Sequence, residues 1–124
     1  MKALAMALLA GSALTAVPAQ AQHYQRTGEG VKVTPADGPA SSVELTVHGD
    51  GIMHVVAMPK GEGSAPTPSL MIAQPPAAEA FDVAEADGQV RIKTARATAE
   101  ISLANGQVRF LDPAGKPLLT EAAP

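Results

Sequence analysis

Val43-Glu44-Leu45-Thr46-Val47-His48-Gly49-Asp50-Gly51-Ile52-Met53-His54-Val55-Val56-Ala57-Met58, residues 43–58, decides the fold. Val43, Leu45 and Val47 are apolar while Glu44, Thr46 and His48 between them are polar, which is the period of a strand with one face buried. Gly49-Asp50-Gly51 turns the chain, since Asp-Gly supplies the positive φ angles of a tight hairpin. Residues 52–58 are apolar almost throughout, so the second arm is expected to be buried on both faces. Together they predict an antiparallel hairpin.

The same grammar continues on both sides. Val31 and Val33 around Lys32 predict a short strand ending at Thr34-Pro35, and Pro35-Ala36-Asp37-Gly38-Pro39 is a turn by composition. Residues 59–68 carry Gly61, Gly63, Pro66 and Pro68 and are expected to loop. Leu70-Met71-Ile72 is a short apolar strand, closed by Pro75-Pro76, and residues 77–80 have the composition of one helical turn or an irregular connection. Further strands are predicted at 81–83, 89–94, 97–103 and 107–111, separated by Asp87-Gly88 and Asn105-Gly106. In these Val90 and Ile92, then Ala99, Ile101 and Leu103, then Val108 and Phe110 point inward, against Arg91, Lys93, Thr98, Glu100 and Ser102 outward. Leu118-Leu119 beyond Ala114-Gly115 makes one more. Pro, Gly or strict alternation crosses every stretch of helical length, so the fold class is all-β, an antiparallel β-sandwich. Eight or so short strands leave an inner face or an edge without its partner, and an incomplete sandwich with exposed edges is expected.

Residues 1–21 have the layout of an export signal: Lys2, the apolar residues 3–9, then Ala19-Gln20-Ala21 at a cleavage point. The apolar part is too short for a membrane span of roughly twenty residues. Residues 22–30, with His23 and Tyr24, form a polar lead expected to be flexible, and 31–124 form the one domain. Past residue 21 eight Lys or Arg stand against twelve Asp or Glu, with no basic run, so neither nucleic acid nor an anionic membrane surface is an expected partner. The chain has no cysteine, hence neither disulfide nor thiolate metal site. The expected location is periplasmic or secreted.

Candidate chemistry is sparse. His48 and His54 lie on the two arms of one hairpin, but a metal site needs further ligands and none is suggested nearby, so hydrogen-bonded or solvent-facing histidines are the better reading. Glu79, Asp82, Glu85 and Asp87 fall close together, and paired carboxylates perform glycoside hydrolysis. These four flank alanine-rich strands and glycine turns, where acids serve solubility and turn geometry. Ser41, Ser42, Ser64, Ser69 and Ser102 have no nucleophile-elbow pattern. Gly61-Glu62-Gly63-Ser64 lacks the lysine of a phosphate cradle. Stacking of sugars needs exposed rings, and Phe81 and Phe110 sit at core positions, which leaves Tyr24 alone. The expectation is therefore no catalytic residue, no metal and no cofactor.

The order of strands in Val43 to Val56, Ser69-Leu70-Met71-Ile72, Phe81-Asp82-Val83, Val90-Arg91-Ile92-Lys93-Thr94, Ala99-Glu100-Ile101, Gly106-Gln107-Val108-Arg109-Phe110-Leu111-Asp112 and Gly115-Lys116-Pro117-Leu118-Leu119-Thr120-Glu121 resembles the amino-terminal domain of glycoside hydrolase family 31. That resemblance implies a galactose-mutarotase-like β-sandwich preceding a (β/α)8 barrel, with both catalytic aspartates on the barrel. No residue of this chain matches either aspartate motif, so none inherits a catalytic role. The implied function is structural or accessory to the barrel of an exported α-xylosidase or α-glucosidase, which is also the implied partner. The alternative is a free-standing exported sandwich that binds a protein or polymer along its edge strands.

Overall fold

The computed structural model describes residues 23–61, residue 77 and residues 79–122. The expected signal at 1–21, the strand at 70–72, most of the loop at 59–68 and the proposed phosphate-cradle comparison at 62–64 lie outside the described residues. Nine strands are seen among the described residues: β1 (Tyr24–Arg26), β2 (Gly30–Val33), β3 (Ala40–His48), β4 (Ile52–Pro59), β5 (Asp82–Ala86), β6 (Gln89–Lys93), β7 (Thr98–Ser102), β8 (Val108–Leu111) and β9 (Pro117–Thr120). They form two antiparallel sheets, β1-β2-β3-β4 and β5-β6-β7-β8-β9, each in chain order. No α-helix occurs among the described residues.

Alternation builds the core. Val31 and Val33 of β2 and Val43, Leu45 and Val47 of β3 meet Val90 and Ile92 of β6, Ala99 and Ile101 of β7 and Val108 of β8 in one buried cluster. All but Ala99 are β-branched or leucine, residue types that fill a pleated interface well. Phe81, Val83, Phe110, Tyr24, Met53 and Val55 pack around its margin. The sandwich expected from the sequence is thus observed.

The hairpins follow their turn residues. Asp87 and Gly88 both take positive φ, 54° and 72°, and connect the paired Ala86 and Gln89 in a two-residue turn. That combination twists with the strands it joins. Between β3 and β4 the positive φ belongs to Gly49, at 69°, and not to the Asp50-Gly51 pair that the sequence favoured. The pairing of His48 with Ile52 leaves a three-residue connection, Gly49-Asp50-Gly51.

Two expectations are corrected. The polar lead is ordered from Tyr24 onward: β1 pairs with β2 through Tyr24↔Val33 and Arg26↔Val31, and the His23 carbonyl accepts from the Thr34 N–H at 2.7 Å. Backbone pairing holds it, together with Tyr24 against the core margin and Arg26 against Phe81, none of which shows in its composition. Second, among the described residues β4 is an edge strand paired with β3 alone, and none of its residues is buried. Met53 and Val55 touch the core margin, while Ile52 is 55% exposed. An apolar run predicts burial on two faces only if a second layer covers the outer one, and no described element does. Of the two alternatives for residues 77–80, Ala77, Glu79 and Ala80 follow the irregular one, in neither helix nor strand.

The two sheets are also laced by polar contacts. Thr94 after β6 reaches the Asp50 carbonyl of the β3–β4 turn at 2.6 Å. Arg26 of β1 donates from Nη2 to the Phe81 carbonyl at 3.3 Å, with its guanidinium carbon 5.1 Å from the Phe81 ring centroid. The N–H groups of Ala36 and Asp37 donate to the carbonyls of Leu103 and Ala104 at 2.9 and 2.8 Å, joining the β2–β3 and β7–β8 connections. These bonds satisfy backbone groups that leave the ladders at the sandwich ends.

Candidate functional site

The outward face of the five-stranded sheet carries the one buried charge among the described residues. Strand β7 is central, so Glu100, which alternates with the core residues Ala99 and Ile101, points away from the core. The register sets Arg91 of β6 opposite Glu100 on one side and Arg109 of β8 opposite it on the other. Arg91 Nε donates to Oε1 at 2.6 Å, and Arg109 Nε donates to Oε2. Glu100 is only 2% exposed although it stands on an outer face, whereas the arginine side chains are 44% and 41% exposed. It is covered by its two partners rather than by depth.

Burial pushes the Glu100 carboxyl up, but the hydrogen bonds from Arg109 and then Arg91, with the charges of both, outweigh it and hold the carboxyl below its ordinary value. A carboxylate in that state is a poor general acid, and both of its oxygens are already occupied. The group is an anchor for two guanidiniums. Each guanidinium is a planar fan of N–H donors, and the Nη groups of Arg91 and Arg109 have no hydrogen-bond partner among the described residues. Beside them lies a recess lined by Asp82, Lys93, Thr98 and Leu111 and by the turn at 112–115. That turn is rigid, because Asp112 Oδ1 accepts from the N–H groups of Ala114 and Lys116 at 2.9 and 2.8 Å.

The residues singled out in the sequence are placed as follows. His48 and His54 do come together on the outer face of the four-stranded sheet, with ring centroids 6.3 Å apart and planes at 37°. No third His, Cys, Asp or Glu joins them to make a metal-binding group among the described residues. Glu79 and Asp82 line one recess with Arg26 and Lys93, while Glu85 stands exposed in edge strand β5 and Asp87 occupies the hairpin turn. Ser41 Oγ donates to the carbonyls of Met58 and Pro59 at 3.0 and 3.3 Å where β3 bulges against β4, and Ser102 Oγ accepts from the N–H of Ala104 at 3.2 Å. Both hydroxyls stitch backbone. Ser64 and Ser69 lie outside the described residues. Tyr24, Phe81 and Phe110 are half-buried against the core, and the Arg26 guanidinium lies over the Phe81 ring.

Sequence reading placed Glu100 outward and missed its burial. The available signal was spacing: Arg91, Glu100 and Arg109 fall nine residues apart, the repeat of two successive hairpins of equal length. Such a repeat brings the three into one cross-strand row.

No protein-family model and no curated protein sequence matches the chain. A solved structure does: the glycoside hydrolase family 31 α-xylosidase of Xanthomonas citri is 42% identical over 80% of this chain, with a TM-score of 0.70. The matched region is 11% of that enzyme, so the chain spans about a tenth of the length of the solved protein it matches. Identity at that level over most of this chain, together with the shared fold, bears out the likeness first read from strand order: the chain is a β-sandwich similar to a domain-sized part of a glycoside hydrolase family 31 enzyme.

Proposed function

We propose that this chain is the exported, non-catalytic β-sandwich of a family 31 α-glycosidase, accessory to a (β/α)8 barrel that carries the hydrolytic residues. The observation that carries the reading is the 42% identity to a domain-sized portion of an α-xylosidase. The site chemistry is in keeping with it: the buried carboxylate, Glu100, is committed to two arginines and held ionised, which suits structure and docking rather than proton transfer. Export rests on the layout of residues 1–21.

Purified chain is assayed on 4-nitrophenyl α-xyloside and α-glucoside. The expected result is release no faster than buffer, and turnover that scales with chain concentration through purification would overturn the non-catalytic role. The coding sequence beyond residue 124 is the second check, with a barrel expected within a few tens of residues. Unrelated sequence there would favour the other reading, strand addition at an edge, for which β4 is the exposed candidate with its apolar Ile52.

A further inference from the structure

We propose that Arg91 and Arg109, held side by side by Glu100, receive a carboxylate side chain presented by the protein surface that packs on the outer face of the five-stranded sheet. The identity of that surface as the catalytic remainder of the enzyme rests on the accessory-domain reading above. The chemistry of the clamp does not.

Three observations converge on this face. The first is unspent valence: each arginine uses Nε on Glu100 and keeps its Nη donors, and those donors match the two oxygens of a carboxylate in a forked geometry. The second is charge. Within the cross-strand row itself two guanidiniums meet one carboxylate, which leaves that row one excess positive charge, while Asp82, Lys93 and Asp112 line the recess beside it. A second carboxylate makes the row neutral, which is the complementarity a buried contact requires. The third is preorganisation. A long arginine side chain ordinarily loses rotamer freedom on binding, and Glu100 has already fixed both.

Position favours a protein over a small free ligand. The clamp lies on the middle strands β6, β7 and β8, away from the sheet edges, and no described element covers it. Leu111 and the stiff 112–115 turn wall the adjoining recess, whose lining Asp82 and Lys93 complete. The matched enzyme also has most of its length outside the sandwich, so a large partner surface is at hand for a domain of this kind.

The test titrates the full chain, at low salt, with a hexaglutamate peptide, a hexaglutamine peptide and inorganic phosphate, following the arginine Nε–Hε resonances. Hexaglutamate is expected to shift the Arg91 and Arg109 signals saturably. Arg109→Gln is expected to weaken that binding at least tenfold, and Arg109→Lys, which keeps the charge and loses the fork, about threefold or more. Lys32→Gln, exposed on β2 of the other sheet, is expected to stay within about twofold. Unchanged Nε–Hε signals at saturating hexaglutamate overturn the proposal. So do an equal response to hexaglutamine, phosphate binding as tight as hexaglutamate, or equal losses in the Lys32 and Arg109 variants. Backbone amide spectra report whether Arg109→Gln is folded, and if it is not, the Arg109→Lys and Lys32→Gln pair decides. Any of these failures leaves the accessory-domain reading standing, because that reading is judged by hydrolysis and by the coding sequence.

Discussion

The Thr94 hydroxyl donates to the Asp50 carbonyl at 2.6 Å and so ties the end of β6 in one sheet to the β3–β4 turn in the other. The same oxygen accepts from the N–H groups of Arg96 and Ala97 at 3.3 and 3.2 Å. One side chain, 6% exposed, therefore closes its own turn and pins the opposite sheet. Two hydrophobic faces can slide on each other, but a directional bond at their rim sets the relative position.

Thr94→Val keeps shape and removes all three bonds. Leaving the Asp50 carbonyl and two turn N–H groups without their partner is expected to destabilise by about 1–3 kcal/mol. Thr94→Ser keeps the hydroxyl and is expected to cost less than half as much. Urea unfolding of the two variants checks the order, and equal losses would show that the methyl group, not the hydroxyl, matters.

Leucine 45 and isoleucine 52 separate core from edge within one hairpin. Leu45 is fully buried at the centre of β3, so Leu45→Ala is expected to cost about 2–5 kcal/mol through lost transfer energy and the cavity left behind. Ile52, more exposed than buried on edge strand β4, is expected to lose under about 0.5 kcal/mol on change to Ala. Chemical denaturation of both variants gives the comparison. A large loss at Ile52 would mean that another layer covers β4.

That pair also marks where sequence reading succeeds and where it stops. Val43, Leu45 and Val47 alternate with polar residues, and the alternation alone names the buried face, because a strand has only two faces. The run from Ile52 to Met58 has no polar partner face to contradict burial, so whether it is central or an edge depends on strand order, a non-local fact. Tyr24–Arg26 was unreadable for a related reason: three residues of backbone pairing leave almost no period to detect. At the candidate site, Glu100 was legible as outward and illegible as buried, since its cover comes from Arg91 and Arg109 on two other strands. Direction is local, and burial is tertiary.

Gly30→Ala tests a close approach in β2. A Cβ built there would lie 1.8 Å from the Leu45 carbonyl oxygen, which belongs to the neighbouring strand and cannot swing aside. The β2–β3 pairing must open locally, and the expected cost is about 3 kcal/mol or more, at the upper end of overpacking. Gly28→Ala is the control, because nothing lies within 4 Å of a Cβ there. Thermal melts of the two variants should diverge sharply, and indistinguishable melting temperatures would refute the clash.

Glu100→Gln carries a pH signature. Burial raises the carboxyl, the bonds and charges of Arg109 and Arg91 lower it, and the net is a folded-state value below the ordinary 4.5. A depressed carboxyl binds fewer protons in the folded state than in the unfolded one. Its contribution is therefore complete above about pH 4.5 and is lost as the pH falls through the lowered folded value. Because both arginines are two-fifths exposed, solvent screens the pairs, and the glutamine variant is expected to lose about 1–2 kcal/mol at neutral pH rather than the larger cost of breaking a deep ion pair. The stability gap between wild type and Glu100→Gln should be constant from pH 8 to about pH 5 and should narrow below pH 4.5, since every other carboxyl titrates in both proteins and cancels. Urea midpoints measured across that range check it. A gap that stays flat to pH 3, or widens on acidification, would mean that the arginines do not hold the Glu100 carboxylate in its charged form.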